Sequence, residues 1–276
     1  IADEYYMNFE SWGASLSTSF GRRWVPNFAI LTLTGGMSNT LNYNVYDQGL
    51  YVPIDSGVSK NANRAGIKNA IYASISLDNR DINFDPSKGW FLNERLAWYG
   101  LIPGLEQEFY LRSDTKLEGY LTLFDIPVAD GYWNFKGVLA AYSGFSAIFQ
   151  VPGTMFGDSS KVYIDGMFNG RGWTDVYDTP EGRGKAMWSN SLELRIPIFQ
   201  GVIGLDGFFD AVAVKQNVSD MFTNLSVEDF YFSFGPGLRF LVPQFPLHLL
   251  FANTFRIKDG NVKWDGTWRF VLSFNM

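Results

Sequence analysis

The stretch from Lys263 to Met276, KWDGTWRFVLSFNM, decides the fold. Trp264, Gly266, Trp268, Phe270, Leu272, Phe274 and Met276 take alternate positions. Lys263, Asp265, Thr267, Arg269, Val271, Ser273 and Asn275 take the others. Successive side chains of an extended chain point to opposite faces, so this is a strand with one aromatic and aliphatic face and one mostly polar face.

The same period of two recurs along the chain. Phe109, Leu111, Leu117, Leu121 and Leu123 oppose Arg112, Asp114, Lys116 and Glu118. Trp12, Ala14, Leu16, Thr18 and Phe20 oppose a row of serines and Gly13, and Phe230, Phe232, Phe234, Leu238 and Phe240 oppose Ser233 and Arg239. About eleven segments read this way: 11–21, 27–43, 67–80, 90–102, 107–126, 132–146, 185–197, 200–216, 228–241, 245–257 and 263–276. One flaw stands out, Glu94 on the apolar face between Leu92 and Leu96. Most segments reach the roughly 9–11 residues that a tilted strand uses to cross a bilayer. Tryptophans near segment ends, such as Trp90 and Trp98, fit interfacial girdles.

Composition agrees. Aromatics are 17% of 276 residues, yet mean hydropathy is only −0.06. Strands facing lipid on one side and water on the other produce both values. A soluble sandwich would carry its charges on an outer face, whereas here the mid-strand charges oppose an almost purely apolar face. Hydrocarbon also forces the sheet to close, because an unpaired backbone group there costs several kcal/mol. The expected fold is all-β, a transmembrane antiparallel β-barrel spanning 1–276, with a long loop at 147–184.

Little else is on offer chemically. A net charge of −6 gives no reason to expect nucleic acid. With no cysteine and one histidine, His248, thiol chemistry, transition-metal sites and histidine triads are poorly supplied. The acidic run from Asp78 to Asp85 fails as a calcium loop, having Pro86 and Leu92 where glycine and glutamate belong. GRGK at 182–185 lacks phosphate-loop spacing. We expect no cofactor, no metal and no enzyme.

The long loop contains IDGMFNGRGWTD, in which Gly170 and Gly172 bracket Arg171 and Trp173 follows. Alternation turns Glu193 inward on 186–196, and Phe208 and Asp210 inward on 205–212. A buried cation needs an anionic partner. Arg171 can pair with either carboxylate and stack on Phe208 if the loop folds into the lumen. An exposed arginine on a glycine-rich turn is the alternative.

These elements together resemble the barrel domain of the BamA family of outer-membrane assembly proteins. FNGRGWTD resembles that family's sixth-loop motif, with Arg171, Gly172 and Trp173 kept and the valine absent. SNSLELRIP resembles the following strand, with the family's glutamate at Glu193. GFFDAV resembles its Phe-x-Asp-x-Gly, giving Phe208 and Asp210, with Val212 in place of the glycine. LDNRDINFDPSKGWF resembles the family's Asp-Arg turn, with Asp78, Arg80, Pro86 and Gly89.

The resemblance implies that Arg171 steadies the barrel from inside. It also implies that the first and last strands meet at a seam that opens sideways, with Trp268, Phe270, Leu272 and Phe274 on the last strand. It implies an outer-membrane location, bacterial or the organelle equivalent. The partners it implies are outer-membrane lipids, nascent outer-membrane β-barrel proteins and assembly-complex lipoproteins. A secretion translocase or autotransporter barrel of the same superfamily, or a small porin, is the alternative. The family's soluble POTRA domains have no counterpart here, and about five early strands of its sixteen-stranded barrel are missing. Eleven strands put the chain ends on opposite sides of the membrane. Either IADEYYMNF adds a twelfth strand or the chain is part of a larger barrel, the reading we favour.

Overall fold

Alternating segments become one sheet. The computed structural model describes residues 9–46, 65–128, 133–177, 179–199, 202–241 and 247–274. The strands are β1 (Phe9–Trp24), β2 (Ile30–Tyr46), β3 (Ala65–Asp78), β4 (Gly89–Tyr99), β5 (Tyr110–Val128), β6 (Trp133–Gln150), β9 (Ala186–Phe199), β10 (Ile203–Lys215), β11 (Phe230–Phe240) and β12 (Leu247–Lys258). Each pairs antiparallel with the next in that order. A small hairpin, β7 (Val162–Tyr163) with β8 (Arg183–Gly184), lies within the long excursion between β6 and β9. A short helix, α1 (Val218–Thr223), sits between β10 and β11. Among the described residues no helix is long and apolar enough to cross a membrane.

The two faces of the sheet are inverted relative to a water-soluble protein. On β5, Leu121 is 59% exposed while Glu118 is 7% exposed. On β10, Leu205 and Phe209 are exposed, whereas Asp206, Phe208, Asp210 and Val212 are buried. Apolar residues therefore point away from the enclosed side, as a lipid-facing wall requires. Glu94 does lie on the outer face, but it is not left bare. It accepts hydrogen bonds from the hydroxyls of Ser113 (2.7 Å) and Thr115 on the neighbouring strand.

The expected last strand is broken. It consists of β13 (Asn261–Trp264) and β14 (Arg269–Phe274), which lie end to end against β12. Phe255 pairs with Trp264 and Ala252 pairs with Arg269. The last strand thus spends two more residues than β12 on the same interval, which bulges Asp265–Trp268 out of the ladder. Side chains hold the bulge. Asp265 pairs with Arg269 and accepts from the Thr254 hydroxyl (3.1 Å), its own N–H bonds the Thr254 carbonyl (3.0 Å), and Gly266 takes φ +73°. An insertion of two preserves parity, so the alternation gave no sign of it. Trp268 is therefore not a strand residue. It lies in the bulge, edge-on to Phe234 at 5.9 Å. Phe270 and Leu272 face outward from β14, and Phe274 is in register with Leu247, its side chain lying outside the described residues. Of the proposed extra strand IADEYYMNF, residues 1–8 also lie outside the described set, and Phe9 begins β1.

The turn between β3 and β4 folds back under the enclosed side. Arg80 donates to Asp78 (2.8 and 3.0 Å) and Glu118 (3.0 Å) and stacks on Phe91 at 4.5 Å. The hydrogen bonds it gives to Asp78 raise the guanidinium pKa above its ordinary value. Asp81 closes the turn by accepting from the Ser87 N–H (3.0 Å) and hydroxyl (2.6 Å).

Two glycines test this wall. A Cβ on Gly235 would overlap the Phe251 carbonyl of the neighbouring strand, whereas one on Gly119 meets nothing within 4 Å. Gly235→Ala should cost about 1–3 kcal/mol, as overpacking does, and Gly119→Ala close to nothing. Urea midpoints in detergent micelles measure both.

Candidate functional site

The loop between β6 and β9 is built to present one guanidinium. Asp165 accepts from the N–H groups of Met167 (2.8 Å), Phe168 (2.6 Å) and Asn169 (2.9 Å), curling the chain into a tight bend. Gly166, Gly170 and Gly172 have φ of +72°, +66° and +93°, a region that favours glycine. The Gly172 N–H bonds the Gly166 carbonyl (2.8 Å) and that of Trp173 bonds Gly170 (3.0 Å). Gly172 also passes close to β12, where a Cβ would sit 2.7 Å from that of Ala252.

Arg171, 7% exposed, emerges from this bend against β9 and β10. Its Nε and Nη2 fork onto the Asp210 carboxylate at 2.8 and 2.6 Å, and its backbone N–H adds a third bond to Asp210 at 3.2 Å. Nη1 donates to Glu193 at 2.6 Å and Nη2 to the Ser191 hydroxyl at 2.7 Å. The guanidinium plane lies 4.0 Å from the Phe208 ring centroid. The structure therefore brings Arg171, Glu193, Phe208 and Asp210 together, all on the enclosed face. Trp173 anchors the other side of the bend. Its indole N–H bonds the Phe232 carbonyl (3.1 Å), and its ring meets Tyr231 edge-on at 5.1 Å. Val212, which replaces a family glycine, is 1% exposed and packs with Ile164 and Trp173. A bulky residue is thus accommodated there by apolar packing.

Further contributors lie ahead of β5 and in the turn between β3 and β4. Glu108, ahead of β5, accepts from Gly157 N–H (2.6 Å) and the Ser160 hydroxyl (2.6 Å), tying down the start of the loop. It falls in the expected segment 107–126, on the face of Arg112, Asp114, Lys116 and Glu118, two residues ahead of where β5 begins. Asp85, in the β3–β4 turn, pairs with Arg239 and lies 3.9 Å from Arg195. Arg195 in turn holds Glu193 at 2.8 Å, and Arg239 lies 3.3 Å from Asp206. An unbroken run of charges thus extends from Arg171 to the turn at the far end of the sheet. Only its members on regular strands, Glu193, Arg195, Asp206 and Arg239, could be placed by alternation. The Trp268, Phe270, Leu272 set lies on the outer face, away from this cluster. Among the described residues no group of three histidine, aspartate or glutamate side chains is arranged to hold a metal.

The cluster fastens the loop to the strands: the Nε, Nη1 and Nη2 of Arg171 all have carboxylate or hydroxyl partners. Removing one partner of a buried ionic pair costs about 3–5 kcal/mol, because the other charge stays buried and unpaired. Arg171→Ala should lower unfolding stability by about that amount. Gly172→Ala, strained at its positive φ and crowded by Ala252, should destabilise in the same direction. Guanidinium-chloride unfolding followed by tryptophan fluorescence reads both.

Comparison with known proteins places this geometry. The Omp85 superfamily domain matches residues 5–276. The chain is 35% identical over 303 aligned positions to a Treponema pallidum (strain Nichols) protein described as "Putative outer membrane protein assembly factor". That match takes in 100% of this chain and 36% of the relative. The crystal structure of BamA from Haemophilus ducreyi lacking POTRA domains 1–3 superposes with a TM-score of 0.61 at 19% identity, over 97% of this chain and 55% of that one. The chain therefore spans about a third of the relative and about half of the structure. With its strand order, its outward apolar face and its matched length, this chain belongs to the Omp85 superfamily as an outer-membrane β-barrel domain.

Proposed function

We propose that this chain is the barrel part of an outer-membrane protein assembly factor. In this reading, residues 1–276 form one barrel domain with the loop at 147–184 in the lumen. Client β-barrels fold against a seam between the first and last strands. Nascent outer-membrane β-barrel proteins are the clients, outer-membrane lipids surround the wall, and assembly-complex lipoproteins are further partners. The similarity to an assembly factor at 35% identity supports the reading.

The observation that carries it is the broken last strand. A continuous ladder resists opening because its hydrogen bonds act together. Here β14 is a short run against β12, separated from β13 by the bulge at Asp265–Trp268. A short strand with its outer edge offered is suited to accept another strand by β-augmentation. An open pore has less support. Lys116–Glu118 (2.7 Å) and Arg112–Asp114 (2.8 Å) pair with each other, and the Arg171 loop lies across the enclosed face.

The chain has no cysteine, so single cysteines report cleanly. Phe270→Cys and Leu272→Cys should form disulfides with cysteine-bearing strands of an unfolded client during its folding in vesicles. Leu205→Cys, on the wall, should not. Absence of cross-links at 270 and 272, with no acceleration of client folding, would overturn the proposal. A large steady conductance in planar bilayers alongside that result would establish a pore.

A further inference from the structure

The outer wall has a hole in its covering of side chains. Gly207 on β10 faces outward between Leu205 and Phe209, and nothing lies within 4 Å of where its Cβ would be. Its register partners are Leu194 on β9 and Pro236 on β11. Pro236 has no N–H to give to a ladder. The pairing of β11 with β12 lapses beside it, between Phe234↔Asn253 and Gly237↔Leu250. The result is a groove of about 440 Å³ open to the outside, lined by Leu139, Leu192, Leu194, Phe209, Phe234 and Trp268, with no charged side chain.

Its depth says what fills it. Gly207 is four positions from Ile203, where β10 begins at the short-turn end. At about 3.3 Å per residue and a tilt of about 35–45°, that is roughly 10 Å below the end of the strand. A leaflet contributes about half of a hydrocarbon core roughly 30 Å thick, so the groove lies at acyl-chain depth. In outer-membrane barrels short turns face the periplasm, which puts the groove in the inner of the two leaflets. An empty apolar groove forfeits dispersion contacts along its whole lining. The lining offers nothing to a headgroup and carbon throughout to a tail. Phe208, the residue next to Gly207, carries Arg171 on the other side of the wall, so the groove and the loop fastener stand back to back.

We propose that this groove is a binding site for one acyl chain of a periplasmic-leaflet phospholipid, held longer than ordinary boundary lipid. Trp268 at its rim is the built-in reporter. The protein is reconstituted in phosphatidylcholine vesicles containing increasing fractions of lipid brominated at mid-chain, and tryptophan quenching is recorded. The share of quenching that disappears in Trp268→Phe should saturate at a low brominated fraction in the wild type. That early saturation should be lost in Gly207→Leu, which fills the groove, and kept in Gly207→Ala, which leaves it largely open. Leu194→Trp with Trp268→Phe narrows the groove from β9 and moves the reporter. Its added quenching signal should rise in proportion to the brominated fraction, without saturation. Heat-modifiable mobility on gels shows which variants are folded. Trp268 quenching proportional to the brominated fraction in the wild type, or unchanged by Gly207→Leu, would mean boundary lipid only and overturn the proposal.

Discussion

The enclosed half of this barrel wall depends on a charge that cannot be left alone. A guanidinium buried to 7% exposure is tolerable only if its donors are spent, and Arg171 spends them on Asp210, Glu193 and Ser191. That requirement runs in both directions. Asp210 is buried and Glu193 is only 12% exposed on strands whose outer faces carry leucine and phenylalanine, so they need the cation as much as it needs them. The fork geometry of arginine supplies two bonds to one carboxylate and a flat face for Phe208, which a lysine would not do. The glycines around Arg171 follow from this demand, since the backbone must bend sharply and pass close to β12 to deliver the side chain.

From that contact the charges continue. Glu193 also holds Arg195, Arg195 lies near Asp85, and Asp85 holds Arg239 from the turn between β3 and β4. A loop from one end of the sheet and a turn from the other thus meet the same strands. The wall is braced from within, while its last strand is interrupted. Stiffness near β9 and β10 beside a short, bulged edge at β14 is a physically reasonable division for the proposed role, in which the barrel accepts another strand without losing its own shape.

Much of this was legible in the residues. Period-two alternation located the crossing segments and put Glu193, Phe208 and Asp210 on one face, because parity along a strand determines direction. The loop geometry around Arg171 was legible only through its type and its glycine bracket, and its partner among the carboxylates required the fold. The bulge at Asp265–Trp268 was invisible for a definite reason. Two extra residues restore the parity they disturb, so the aromatic row of the last strand reads as unbroken. Asp85 escaped for another reason. It acts from a turn, where no repeat constrains where a side chain points. Glu94 shows the opposite limit, a true irregularity in the pattern whose resolution lay in two hydroxyls on the adjacent strand.

The most direct measurement of the central claim is a double-mutant cycle between Arg171→Ala and Asp210→Ala, read as equilibrium unfolding free energies. If the loop is fastened by this pair, the two losses will be strongly non-additive, with a coupling at or above about 3 kcal/mol, the upper range for residues in one network. Additive losses, with coupling within about 0.5 kcal/mol of zero as for independent sites, would contradict the account.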